Sequence, residues 1–195
     1  MPYVNPLPRD ATPELVERFD HYETTRGFIP NSILTMQRRP GIADAFIRLN
    51  RAVLYEGTVS TELKMLVSLM ASHAAGCRHC QSHMANLSSI YEAPDDKIAA
   101  IWEFETSALF SEAERAALRL AMKASVVPNA AEEDDFGALR KHFNDAEIVE
   151  IVASIALFGY LNRWNDTMAT ELEEVPSNVA MRTIGPVGWR PGKHG

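Results

Sequence analysis

Cys77-Arg-His-Cys80-Gln-Ser-His83 gathers the only two cysteines of a 195-residue chain, with one histidine between them and another three places after the second. A thiol pair at C-x-x-C spacing can close a disulfide over a short ring and so carry two electrons. A nearby imidazole can hold or move the proton that decides which sulfur is the nucleophile. Gly76 reads as a helix stop, so Cys77 opens the next helix among unpaired N–H groups at the positive end of its dipole, which favours thiolate. Cys80 follows about one turn on, on nearly the same face, and His83 lies within reach of its sulfur. The dipole favours Cys77 as the nucleophile and nearness to a base favours Cys80; the spacing leaves that choice open.

Two other readings compete. Cys77, Cys80 and His83, with His73 four places before Cys77, supply a tetrahedral zinc set on paper. A structural zinc, however, adds most to folding when it joins separated segments, and these ligands are clustered. The cysteines could instead be small apolar core residues, but Arg78, His79, Gln81 and Ser82 make the segment polar. His79, about 100° around the helix from Cys80, is expected to face outward. His73 either lines the pocket or is solvated, and His21, His142 and His194 are scattered along the sequence.

The elements that must carry this segment all read as helices. Residues 1–12 form a Pro-rich extended arm, and Thr12-Pro13-Glu14 starts a helix that ends at Arg26-Gly27. Helical patterns follow Pro30 and span 41–55. The central helix starts near Ser60 with Glu62 in its first turn, and its apolar face is Leu63, Leu66, Val67, Met70 and Ala71. The cysteines open a helix to about Tyr91. Further helices are expected over 97–104, 112–126 (capped by Ser111 with Glu114), 132–142 and about 146–172. Arg163 lies in the last, where a structural role is favoured. No alternating strand pattern occurs. The expected architecture is one all-α domain over 1–195: an N-terminal helical extension (1–55), a helical core (56–172) and an irregular C-terminal arm (173–195). Trp189 on that arm needs a place to bury, and a neighbouring subunit is a candidate.

Composition narrows the function. Hydrophobic residues at 46% and charged residues at 23% suit a globular domain with a full core. A net charge of −7 and a pI near 5.4 argue against a nucleic-acid partner. The apolar stretches are too short to span a bilayer, and no leader pattern opens the chain, so a soluble, cytoplasmic protein is expected. In a reducing compartment a close cysteine pair is more often catalytic, redox-sensing or metal-binding than a structural staple.

Ala75-Gly76-Cys77-Arg78-His79-Cys80-Gln81-Ser82-His83, placed after Glu62-Leu63-Lys64-Met65-Leu66-Val67, resembles the carboxymuconolactone decarboxylase superfamily in its AhpD-like, peroxidase-related branch. Arg26-Gly27-Phe28-Ile29-Pro30-Asn31, Arg39-Pro40-Gly41 and Leu161-Asn162-Arg163-Trp164-Asn165-Asp166 fit as well, so the resemblance covers residues 15–172. It implies an AhpD-like helical bundle assembling into trimers or hexamers, and a thiol-dependent peroxidase or disulfide oxidoreductase. Cys80 would attack a hydroperoxide and Cys77 would resolve the product, with an external dithiol as reductant. A histidine and a glutamate would relay protons, and neither metal nor cofactor is implied. Two positions depart from the family pattern. Met84 stands where the relay histidine is usual, leaving His83 one place early. Met65 stands where the glutamate is usual, leaving Glu62 as the nearest acid, about 20 Å from Cys77 along a straight helix. A non-catalytic redox- or zinc-responsive oligomer is one alternative. Lactone or ring-cleavage chemistry is another, although the decarboxylase branch lacks the cysteine pair.

Overall fold

Pro13 starts the first helical run, but its opening turn is 3-10, and the α-helix proper, α1, is Val16–Arg26. The computed structural model covers residues 1–195 and continues with α2 (Asn31–Met36), α3 (Pro40–Tyr55), α4 (Thr61–Ala74), α5 (Arg78–Ile90) and α6 (Asp95–Ala99). It ends with α7 (Glu112–Ala124), α8 (Glu133–Leu139), α9 (Asp145–Met168) and α10 (Glu174–Thr183), and no strand is present. The all-α expectation holds. No helix is long and apolar enough to cross a membrane.

The axis of the bundle is α4, buried continuously from Leu63 to Ser72 and packed against α5, α7 and α9. Such a helix must place its polar groups with care. Ser68 donates to the Lys64 carbonyl at 2.7 Å and Ser72 to the Ser68 carbonyl at 2.8 Å. The Lys64 ammonium is buried and meets Glu150 of α9 at 2.7 Å. The same carboxylate accepts N–H bonds from Thr58 and Val59, so one acid fastens α9 to the start of α4. Gly57 is required there: at φ 98° a Cβ would lie 2.3 Å from the Glu150 carboxylate.

Several boundaries differ from the sequence expectation, among them α8, which ends at Leu139 rather than 142. The run 97–104 begins at Asp95 and becomes 3-10 over Ala100–Glu103. The long helix stops at Met168 rather than 172, because Ala169 takes a left-handed φ of 48° and turns the chain towards α5. Nothing in an alanine signals that stop. The C-terminal arm is not wholly irregular: it contains α10, which packs along α5. Trp189 needs no neighbouring subunit. It is buried in its own chain, with its indole N–H donating to the Arg78 carbonyl at 3.3 Å. At the other terminus, Tyr3 and Leu7 donate backbone bonds to Met168 and Leu34, holding the arm down, and Arg9–Ala11 forms a 3-10 turn rather than extended chain.

Candidate active site at the mouth of α5

The junction between α4 and α5 sets the cysteine geometry. Gly76 at φ 74° ends α4, the Gly76 N–H reaches the His73 carbonyl, and the Cys77 N–H reaches that of Ser72. This paired closure is a Schellman motif, in which glycine supplies the left-handed residue. It leaves Cys77 as the N-cap of α5, its sulfur accepting the Cys80 N–H at 3.4 Å. Asn165 of α9 donates to the Cys80 sulfur at 3.3 Å. Both cysteines are free thiols shielded from solvent.

The two sulfurs therefore differ in acidity. A hydrogen bond from the Cys80 thiol, aided by the N-cap amides, outweighs burial and pulls Cys77 below the ordinary thiol range. Burial and the neighbouring Cys77 push Cys80 well above that range, against a smaller opposing pull from Asn165. The negative charge of a singly ionised pair sits on Cys77, as the dipole argument anticipates.

Cys80, however, is the sulfur on the cavity wall. The cavity holds about 40 Å³ of space open to the centres of water molecules, room for on the order of three waters. His79, His83 and Asn165 line it beside Cys80, with Tyr22 and Arg26 from α1, Phe46 from α3, and Phe158 and Leu161 from α9. Arg26 lies over the Tyr22 ring at 4.9 Å and donates to the Tyr55 hydroxyl at 2.6 Å. The N-terminal extension thus forms one side of the cavity.

His79 does not face outward. It is 1% exposed, and its ring stacks on that of His83 at 4.4 Å. Four residues apart on α5, the two histidines share a face, and α10 and the C-terminal arm cover it. Burial, then His83 and His194, push His79 well below 6.5, against the Glu171 carbonyl. His194, remote in sequence, is buried edge-on to His79 at 5.6 Å and bonded through Nδ1 to the Thr170 carbonyl.

The carboxylate at the site is Glu173, which the sequence reading did not single out. Its Oε2 lies 2.6 Å from His83 Nε2, while its Oε1 accepts the Asn31 backbone N–H. Asn31 also donates through its side chain to the Glu171 carbonyl at 3.0 Å, so the 26–31 segment positions the acid. Glu62 is not brought to the cysteines. It lies in the first turn of α4, opposite the end that meets Cys77, and pairs with Lys97 at 3.1 Å. His73 sits against Trp102 rather than in the cavity, with burial and then Arg78 holding it at about 4. Arg163 is exposed and bonded to the Gly159 carbonyl of its own helix.

Comparison with known proteins places the chain in a family. The sequence model of the carboxymuconolactone decarboxylase family matches residues 40–123. The structure of the debrominase Bmp8, as a cysteine-to-alanine variant in complex with 2,3,4-tribromopyrrole, superposes with a TM-score of 0.86 at 36% identity. That match covers 92% of this chain and 96% of Bmp8. The chain belongs to the carboxymuconolactone decarboxylase family. Its fold is AhpD-like. A peroxidase-related protein with an AhpD core from Ralstonia eutropha JMP134 shares the fold, with a TM-score of 0.77 at 24% identity over 89% of this chain and 94% of that one. The uncharacterized protein YnjA of Escherichia coli (strain K12) is 29% identical over 106 residues, which span 54% of this chain and 58% of YnjA.

Proposed function

We propose that this family member is a cysteine-pair reductase that takes an electrophilic atom from a small oxidant, a hydroperoxide in the leading case. The observation that carries this reading is the placement of the Cys80 sulfur on the cavity wall while its thiol is hydrogen-bonded to the ionisable Cys77. As peroxide enters, the Cys80 proton passes along that bond to Cys77. Cys80 thiolate attacks the terminal oxygen of ROOH, the O–O bond breaks, and the departing alkoxide takes a proton from His83, which Glu173 holds in position. Cys80 is left as a sulfenic acid. The Cys77 sulfur then attacks Cys80, the S–O bond breaks, water leaves with the Cys77 proton, and a disulfide remains for an external dithiol to reduce. Glu62 has no part in this sequence, and the relay carboxylate is Glu173.

A second reading rests on the 36% identity with the debrominase Bmp8. The same sulfur would take bromine from a bromoaromatic ring while the ring carbon takes a proton, and Cys77 would expel bromide as the disulfide forms. The cavity suits the peroxide better, since a brominated ring needs its walls to part.

The test supplies dithiothreitol with hydrogen peroxide, cumene hydroperoxide or 2,3,4-tribromopyrrole, and follows thiol oxidation and bromide release. Turnover of a peroxide that disappears in both Cys80→Ser and Cys77→Ser supports the leading reading. Bromide release alone supports the second, and activity surviving the double substitution overturns both. Cys77→Ser should leave a sulfenic acid on Cys80 that dimedone traps. The working unit is proposed to be a homo-oligomer.

A further inference from the structure

We infer that His79, His83 and Glu173 form a binding site for a divalent zinc-type metal ion that uses neither cysteine and that, when filled, occupies the His83–Glu173 pair assigned above to proton transfer. The ligating atoms of these residues lie within 4.8 Å of one another. The two histidines, four apart on one helix, share a face with their rings stacked at 4.4 Å. Turning those rings towards one ion beside the carboxylate from another segment would complete a His₂Glu set with a fourth position open. Glu173 lies ninety positions beyond His83, so an ion here would tie the 171–174 turn to α5, where a metal adds to folding free energy.

The carboxylate already lies within reach of both rings. Tetrahedral coordination with bonds of about 2.05 Å sets neighbouring ligand atoms about 3.3 Å apart. The Glu173 oxygen is now 2.6 Å from His83 Nε2 and 3.9 Å from His79 Nε2, so it lies too near one ring and too far from the other. A shift of the oxygen towards His79 would even the two, and the ligand atoms, now spread over as much as 4.8 Å, must close in on the ion. The independent observation is His79 itself: buried to 1% exposure, with no well-aligned hydrogen bond at either ring nitrogen and only a loose interaction with the Glu171 carbonyl. Buried imidazole nitrogens without partners are costly, and a metal ion would satisfy one of the two on His79. The ligand set also differs from the zinc set that the sequence offers on paper, since it uses neither cysteine nor His73.

The test is metal binding rather than turnover. Chelator-stripped protein is titrated with Zn²⁺ by calorimetry and with Co²⁺ by absorption, alongside Cys77→Ser/Cys80→Ser, Glu173→Gln and His79→Phe variants. The last keeps a buried ring and removes only the nitrogens. The expected result is about one ion per chain in the wild type and equally in the double cysteine variant, with no thiolate-to-cobalt charge-transfer band. Binding should fall at least tenfold in both His79→Phe and Glu173→Gln, and Zn²⁺ should raise the melting temperature of wild type but not of His79→Phe. Absence of stoichiometric binding in the wild type overturns the site, as does binding that persists in His79→Phe or vanishes with the cysteines. Because the cysteine-free variant must still bind, failure here and failure of the thiol reaction are separate results.

Discussion

Cys77 has an N-cap position and a thiol donor, whereas Cys80 has one side-chain amide to offset its burial, and this difference orders their acidities. Asn165→Leu removes that amide from the cavity-facing sulfur. A hydrogen bond to a charged acceptor is worth about 1.5–3 kcal/mol, so thiolate on Cys80 becomes harder to form. Peroxide-driven disulfide formation, followed by stopped flow, should slow by about tenfold to a hundredfold. The acids separate in the same assay. Glu173→Gln should cost at least about tenfold through loss of His83 positioning. Glu62→Gln should leave the rate within about twofold while lowering stability by about 1 kcal/mol or less, as for an exposed ion pair. The reverse ranking would restore Glu62 as the relay. The sequence displayed the thiols and His83 because they share seven residues of one helix. It hid Glu173, which reaches His83 only through the left-handed turn at Ala169 and the clamp from Asn31.

At the scale of elements, the α4–α5 junction was legible because glycine before a cysteine pair names both the stop and the next start. Gly76→Ala tests what that glycine contributes. A Cβ there meets nothing within 4 Å, so the penalty is the left-handed backbone alone, about 1–2 kcal/mol. Thermal unfolding should shift down accordingly, and alkylation of Cys77 should slow if the N-cap geometry relaxes. The α4–α9 fastening carries a pH signature. Burial alone would raise the Glu150 carboxyl, but Lys64 and the Thr58 and Val59 amides overcome it and hold it at about 2, against an ordinary 4.5. A depressed folded value means that the stabilisation is complete above 4.5 and is lost as pH falls from there towards 2. Melting temperature between about pH 5 and pH 2 should therefore fall less steeply in Glu150→Gln than in wild type. The variant should also start about 3–5 kcal/mol less stable, because Lys64 is left buried without its counter-charge. A parallel slope would remove Glu150 from the acid response. Sequence patterning missed this pair because a lysine in an apolar helix reads as its solvent face, and only the packing of α9 makes the position internal.

For the whole molecule, both termini fold back onto the site, and this is why a division into extension, core and irregular arm captures the order of the helices but not their roles. Residues 22–54 wall the cavity and Asn31 holds Glu173, while α10, Trp189 and His194 close over α5. The outer side of α9 has no such cover. Val149, Val152, Ala156 and Tyr160 follow one another at helical spacing on an exposed face, with Val149 67% and Tyr160 41% exposed. Beside them, Val126, Val127 and the same helix line an open groove of about 980 Å³. An apolar stripe of this kind beside a groove is a surface that a protein contact would cover. A second copy of the chain is the occupant proposed here, and light scattering should give a mass that is a multiple of 21.7 kDa. Val152→Asp places a charge at the centre of the stripe and should reduce that mass while leaving the far-ultraviolet circular dichroism unchanged, because the position points away from the core. If the wild type is monomeric at the concentrations used for turnover, the stripe serves some other contact, and the cavity, complete within one chain, works without a partner copy.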